Sequence, residues 1–159
     1  MNPYIRTIEC PYTGALLVAV PAIHADIAFL HVNAASISGY GRIVGEAWLD
    51  RIMARAAKRT IVTAERITPL KELKNDNSMI KISRLWVDGI VEVAYGAHPT
   101  GCFPDYGVDH AKLDEYTKAS TTSDSAESYL NTYIRSIDTQ EGYVDLMGGS
   151  DRLSQIKYG

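Results

Sequence analysis

Residues 14–69 read GALLVAVPAIHADIAFLHVNAASISGYGRIVGEAWLDRIMARAAKRTIVTAERITP, and GAHP follows at 96–99. Residues 16–20 and 27–32 are compact apolar runs of strand length, and 60–64 is a third run rich in β-branched residues. Continuous apolar character predicts strands buried on both faces, as in a parallel sheet covered by helices. Pro21 ends the first run because proline has no N–H to give to a ladder. Between the second and third runs, the spacing predicts a helix over 47–58. Trp48, Ile52 and Ala56 recur every four residues, as do Leu49, Met53 and Ala57, forming one apolar face. Glu46 and Asp50 at its start and Lys58 and Arg59 at its end complement the helix dipole, with Glu46 read as the cap. The runs end in polar turns carrying Asn33, Ser36, Gly39, Gly41 and Gly45, a layout suited to binding a ligand at strand ends.

Outward from this stretch, residues 1–13 read as an extended lead-in containing Pro3 and Pro11. Residues 67–77 read as a loop or short helix, 79–82 as a brief strand and 87–94 as a further strand. Residues 95–107 form a loop dense in Gly, Pro, His and aromatics, and a helix is predicted over 111–118. Asp124 with Glu127 has the spacing of a capping box. The helix it opens is predicted to bury Ala126, Leu130, Tyr133, Ile134 and Ile137, and a short helix is predicted near 143–147. The pattern is that of one α/β domain over 1–159, an open and mostly parallel sheet flanked by helices. With one clear crossover helix, such a sheet leaves an edge or a face uncovered, so a partner is expected.

Composition narrows the function. The chain is 46% hydrophobic and 22% charged with a net charge of −3, which suits a soluble globular domain and offers no basic field to nucleic acid. Arg51, Arg55, Lys58 and Arg59 share a helix and read as a solvated face. The longest apolar run, 15–22, includes Pro21 and falls short of the roughly 18 residues of a membrane span. The first residues lack a basic-then-apolar signal layout, so the expected location is the cytoplasm, with Cys10 and Cys102 as reduced thiols. The two cysteines make no metal-ligand pattern, and His24, His31, His98 and His110 lack ligand spacing, so no metal site is expected.

No phosphate-binding glycine loop and no nucleophile elbow occur. His31, inside an apolar run, reads as a hydrogen-bonded core histidine. His98 sits in a loop after a strand; a His-Pro turn that shapes the loop and a direct substrate contact both remain open. Glu65 closes a strand and is open to orienting a loop or facing a ligand, while Asp26 reads as a turn residue. The residues at strand ends selected as substrate-lining are Asn33, Gly41, Gly45, Gly96, His98 and Tyr106, the glycines because they let a ligand approach the backbone. No catalytic nucleophile is assigned.

A second line of reading begins with Val20-Pro21-Ala22, Ala25-Asp26-Ile27-Ala28 with His31, Ala35-Ser36, Gly39, Arg42-Ile43 and Gly45. It continues through residues 56–63 with Glu65, Val87-Asp88, residues 95–99, Cys102, Tyr106 and the tail from Tyr143 to Leu153. In this order the residues resemble family I CoA-transferases, at the second half of the α subunit of a glutaconate-type enzyme. The resemblance implies an open α/β CoA-transferase fold and a hetero-oligomer with a B subunit. It implies CoA transfer from an acyl-CoA to a carboxylic acid, with coenzyme A as substrate and no tightly bound cofactor. The attacking glutamate is implied to lie on the B subunit. The first half of the α subunit is expected on another chain, and this chain alone is expected to be inactive. Residues 29–33 (FLHVN) and 104–107 also look similar to a sister group of CoA-dependent ring-cleaving hydrolases of steroid degradation, the alternative reading. A non-catalytic scaffold that associates with itself is the third.

Overall fold

A computed structural model describes residues 4–157; the first three residues of the lead-in and the last two of the tail lie outside the described residues. The lead-in carries a strand. β1 (Arg6–Glu9) pairs antiparallel with β2 (Leu16–Ala19), which places the first apolar run in a hairpin and not in the parallel sheet. Leu16, Leu17 and Val18 are exposed there, against the expectation of burial on both faces.

The parallel sheet is built from β3 (Ile27–Val32), β6 (Arg59–Ala64) and β8 (Gly89–Glu92), in the order β3-β6-β8. Side chains alternate across it. Ala28, Leu30 and Val32 of β3, with Thr60, Val62 and Ala64 of β6, face the core. Leu30, Val32, Val62 and Ala64 cluster there with Ala35, Ala54 and Ile82, and Ile43, Trp86, Val87 and Ile90 pack around them. Ile27 and Phe29 point the other way and are 49% and 68% exposed. The run is continuously apolar, yet only one of its faces meets this chain's core, against the expectation of burial on both. Phe29→Ser is therefore expected to change the chain's own stability by less than about 0.5 kcal/mol in urea denaturation. A loss of several kcal/mol would mean that this face is covered in solution.

A second, antiparallel sheet joins β4 (Ala34–Ala35), β5 (Gly41–Arg42) and β7 (Ile80–Ile82) in the order β4-β5-β7. It straps the chain directly after β3. Gly41 is needed there for close approach, since a Cβ at this position would lie 3.0 Å from Ile82 Cβ.

The predicted helix over 47–58 is shorter, α1 (Asp50–Ala56), and buries Ala54 alone. Trp48, Leu49, Ile52 and Met53, expected on its buried face, are exposed. Leu49 takes the cap position with no side-chain bond, so Glu46 is not the cap. Ala54 seats the helix on the sheet, in the cluster with Leu30, Val62 and Ile82. α2 (Leu70–Leu73) is a short helix within 67–77, the stretch read as a loop or short helix. The C-terminal region comprises α3 (His110–Ala119), α4 (Ser123–Leu130), α5 (Gln140–Leu146) and α6 (Gly149–Ser154). Thr122 caps α4 by accepting from the Ser125 amide, displacing the predicted Asp124–Glu127 box by two positions. Leu130 and Ile134 are exposed, so only Ala126, Tyr133 and Ile137 of the predicted face are partly buried. The architecture is an α/β fold with a parallel sheet flanked by helices.

Candidate functional site

In a parallel sheet all carboxyl ends lie on one edge, and ligands bind in the crevice outside it. Here β3 runs into Asn33, β6 into Glu65 and β8 into the loop at Tyr95. The Glu65 amide donates to Val32 O at 3.0 Å, which extends the β3–β6 pairing by one residue. The Glu65 side chain, only 8% exposed, is a hub. Its Oε1 lies 2.6 Å from His31 Nε2 and accepts from the Tyr106 hydroxyl at 2.6 Å. Its Oε2 accepts from the Tyr95 amide at 2.6 Å. The ring is held from its other side, with His31 Nδ1 2.8 Å from Thr63 Oγ1. Tyr106 is fully buried and its hydroxyl accepts from the Ala97 amide at 2.9 Å. Burial, then the hydrogen bond to Glu65, pushes the phenol far above its usual range, so it stays a proton donor.

Asn33 fixes the facing wall. It is buried, and its Nδ2 lies 2.6 Å from Phe103 O, 2.8 Å from Asp105 Oδ2 and 3.3 Å from Cys102 Sγ. Its Oδ1 accepts from the Val44 amide at 2.8 Å. One side chain thus staples the loop after β8 to the turn after β5. Between them opens a cleft of about 560 Å³ whose lining includes His31, Asn33, Gly45, Trp48, Cys102 and Phe103. Gly45 turns with φ +95°, and Trp48 at the rim takes φ +39° and is 86% exposed. A tryptophan in the left-handed region is strained, a state found where surrounding structure imposes it.

Donor atoms of His31, Glu65 and Cys102 lie within 4.8 Å of one another, a grouping that residue spacing did not predict. Burial pushes the Cys102 thiol up to about 12, helped by the negative Glu65 and Asp105, so it is a neutral thiol near pH 7 and a poor nucleophile. Glu65 spends its oxygens on the three bonds above. The cleft is open; Cys102 on its wall and Glu65 behind it are engaged in holding it, and Glu46 and Asp50 also line it.

The substrate-lining residues selected from sequence separate into groups. Asn33 and Gly45 line the cleft, and Tyr106 lies behind it through Glu65. Gly41 sits within β5, packed on Ile82. Gly96 and His98 line a different cavity of about 250 Å³ against Tyr129, Tyr133 and Tyr143. The His98 side chain is completely buried, with Nδ1 2.7 Å from Tyr143 Oη and Nε2 3.1 Å from Asp109 Oδ2. Arg152 donates to the same Asp109 oxygen at 2.7 Å, so His98 anchors the loop to α3, α5 and α6. Gly96 lies against the hub: a Cβ there would meet His31 Cε1 at 2.7 Å and Val93 O at 2.9 Å. Gly96→Ala is expected to cost about 2 kcal/mol in thermal or urea unfolding. An unchanged midpoint would show that His31 is free to move aside. Sequence reading singled out both His31 and Glu65 but could not join them, because they lie 34 positions apart and meet only through the β3–β6 register.

Relatives share this arrangement of elements. The family described as Coenzyme A transferase matches residues 8–92. The A-type (α) chain of glutaconate CoA-transferase from Acidaminococcus fermentans is 34% identical over 153 residues, 96% of this chain and 48% of that protein. The cholesterol ring-cleaving hydrolase IpdA subunit of Mycobacterium tuberculosis is 31% identical over 138 residues, 82% of this chain and 47% of that one. The crystal structure of glutaconate coenzyme A-transferase from A. fermentans superposes with a TM-score of 0.90 at 32% identity, covering 98% of this chain and 49% of that chain. The chain spans about half the length of these relatives. With the parallel sheet, its loaded carboxyl edge and the family match agreeing, the chain belongs to the coenzyme A transferase family.

Proposed function

We propose that this chain forms the substrate-facing part of the α subunit of a glutaconate-type CoA-transferase, moving CoA between an acyl-CoA and a carboxylic acid. One observation carries the reading: the cleft is within the usual size range for small-molecule sites, yet Cys102 on its wall and Glu65 behind it are held out of nucleophilic service. Glu46 and Asp50 also line the cleft, and this reading assigns the attack instead to a carboxylate of another chain, a B subunit. That carboxylate would attack the thioester carbonyl and expel CoA thiolate, leaving an acyl anhydride. The thiolate would then attack the enzyme's own carbonyl, release the acid and leave CoA as an enzyme thioester. Gly45 and the Asn33-held turn leave backbone accessible where the acyl thioester would lie. Coenzyme A is a substrate in this scheme and no tightly held cofactor takes part.

The exposed Ile27 and Phe29 face is the surface that the first half of the α subunit would cover. The chain alone is then inactive, and the cytoplasm is the proposed location. Among the described residues, no helix is long and apolar enough to cross a membrane. The test is co-expression with a first-half chain and a B subunit, followed by assay of CoA exchange between two acids. Exchange supports the reading. Hydrolytic opening of a ring in a CoA-thioester substrate, without exchange, favours a second reading, a ring-cleaving CoA-thioester hydrolase component, which the 31% identity to the ring-cleaving hydrolase supports. A fully assembled complex with neither activity would leave only a scaffold role.

A further inference from the structure

The charge on the cleft is one-sided. Glu46 and Asp50 line it, and among the described residues no lysine or arginine does. Asp50 is half-buried at the start of α1. Among the described residues neither carboxylate is part of an ion pair. Burial pushes the Asp50 carboxyl above its ordinary 3.8, and no donor or cation stands against that loss of water. Two further acids lie behind the wall, Glu65 against His31 and Asp105 against Arg66. Cys102, on the wall itself, feels them: after burial, the negative charges of Glu65 and Asp105 raise its thiol more than Arg66 lowers it.

The side-chain donors of the lining do not restore the balance. Asn33 Nδ2 is spent on Phe103 O and Asp105 Oδ2, at 2.6 and 2.8 Å. His31 is held at both ring nitrogens, and its pairing with Glu65 keeps the two together from adding net positive charge. The Trp48 indole N–H is a neutral donor, suited to a hydroxyl or amide oxygen. Ile43, Val44 and Phe103 supply apolar wall. A cleft lined by one sign of charge focuses its field on whatever enters. A carboxylate brought beside Glu46 and Asp50 costs free energy whether all three stay ionised or one takes up a proton.

We propose that Glu46 and Asp50 set the acid specificity of this cleft, admitting monocarboxylic acyl groups with a neutral chain and selecting against acyl groups that carry a second anionic group. The proposal rests on the CoA-transferase reading and narrows the acid that the site handles. The discrimination works by repulsion: an apolar or hydroxylated chain meets wall and acceptors that suit it, while a second carboxylate meets only like charge. Asp50 is the stronger determinant, because it is less open than Glu46 to screening by solvent and salt.

The test uses the complex assembled with a first-half chain and a B subunit. CoA exchange from acetyl-CoA to glutarate is compared with exchange to glutaramate, its monoamide of nearly the same shape. The kcat/KM is expected to be about tenfold or more higher for glutaramate. Asp50→Asn is expected to cut that ratio to about threefold or less, and Glu46→Gln to narrow it by a smaller factor. Equal or higher values for glutarate would overturn the proposal and leave the CoA-transferase reading standing, as would a ratio unchanged in both variants. No exchange to either acid would overturn that reading and the proposal with it. A second measurement reads the field in the full chain by itself. Cys102, in a Cys10→Ser background, is alkylated with iodoacetamide and with iodoacetate, and the ratio of rates is compared with that for a free thiol. The neutral reagent is expected to gain about fivefold or more over the anionic one, and less in Asp50→Asn. A ratio equal to that of the free thiol, or no modification by either reagent, would overturn the proposal. If Asp50→Asn does not fold, the two wild-type ratios still decide.

Discussion

Glu65→Ala is expected to lower the unfolding free energy of this chain by about 4 kcal/mol, and Glu65→Gln by about 2 kcal/mol. The alanine variant strands three groups at once: His31 Nε2, the Tyr106 hydroxyl and the Tyr95 amide. Each is at least partly buried and would lose its acceptor with little water to replace it. Glutamine keeps an oxygen for His31 and Tyr106, but its amide nitrogen then faces the Tyr95 N–H, donor against donor. Native domains carry only about 5–15 kcal/mol in total, so the alanine change removes a large share. Urea denaturation followed by far-UV circular dichroism measures both losses. A cost below about 1 kcal/mol for the alanine variant would show that the hub does not hold the loop after β8.

Asp109 is expected to give the chain an acid-sensitive limb of stability worth about 2 kcal/mol. Burial alone would raise this carboxyl, but hydrogen bonds from Arg152 and His98 and from the Lys112 amide outweigh it and hold the group at about 2, below its ordinary 3.8. A carboxyl depressed in the folded state stabilises fully above its unfolded value. That contribution is lost as pH falls from about 4 through about 2. Asp109 also caps α3 by accepting from the Lys112 amide at 3.1 Å. Asp109→Ala is therefore expected to cost about 3 kcal/mol at neutral pH, cap and buried pair together. The gap between wild type and variant should narrow by about 2 kcal/mol on acidification to about pH 2. Parallel stability curves would assign the acid sensitivity to other groups.

Both predictions rest on residues whose roles were only partly legible in the sequence. His31 announced itself as the one polar ring in an apolar strand, and its reading as a hydrogen-bonded histidine matches the bonds at Thr63 and Glu65. Glu65 was visible at a strand end, with loop orientation as one of two readings, and its bonds to Tyr95 and Tyr106 are of that kind. Asp109 carried no signal. Its partners come from the loop, α3 and α6, and its weight comes from being 4% exposed. The helix around Trp48 misled for a definite reason. Four-residue periodicity reports an apolar face but not what covers it, and in this chain that face is open.

By itself the sequence determined the local elements and the family. Strand runs at 27–32 and 60–64, the helices near 111–118, after residue 124 and near 143–147, and the ordered run of family-like residues all follow from near-neighbour patterns, which are written directly in the chain. Only the tertiary structure decided which face of β3 meets the core, that the first apolar run leaves the sheet for a hairpin, and that Asn33, Glu65 and Tyr106 build one wall system around a cleft. Those outcomes depend on strand register and on bonds across tens of residues. No local preference encodes such contacts, because their energy exists only once the distant partner has arrived.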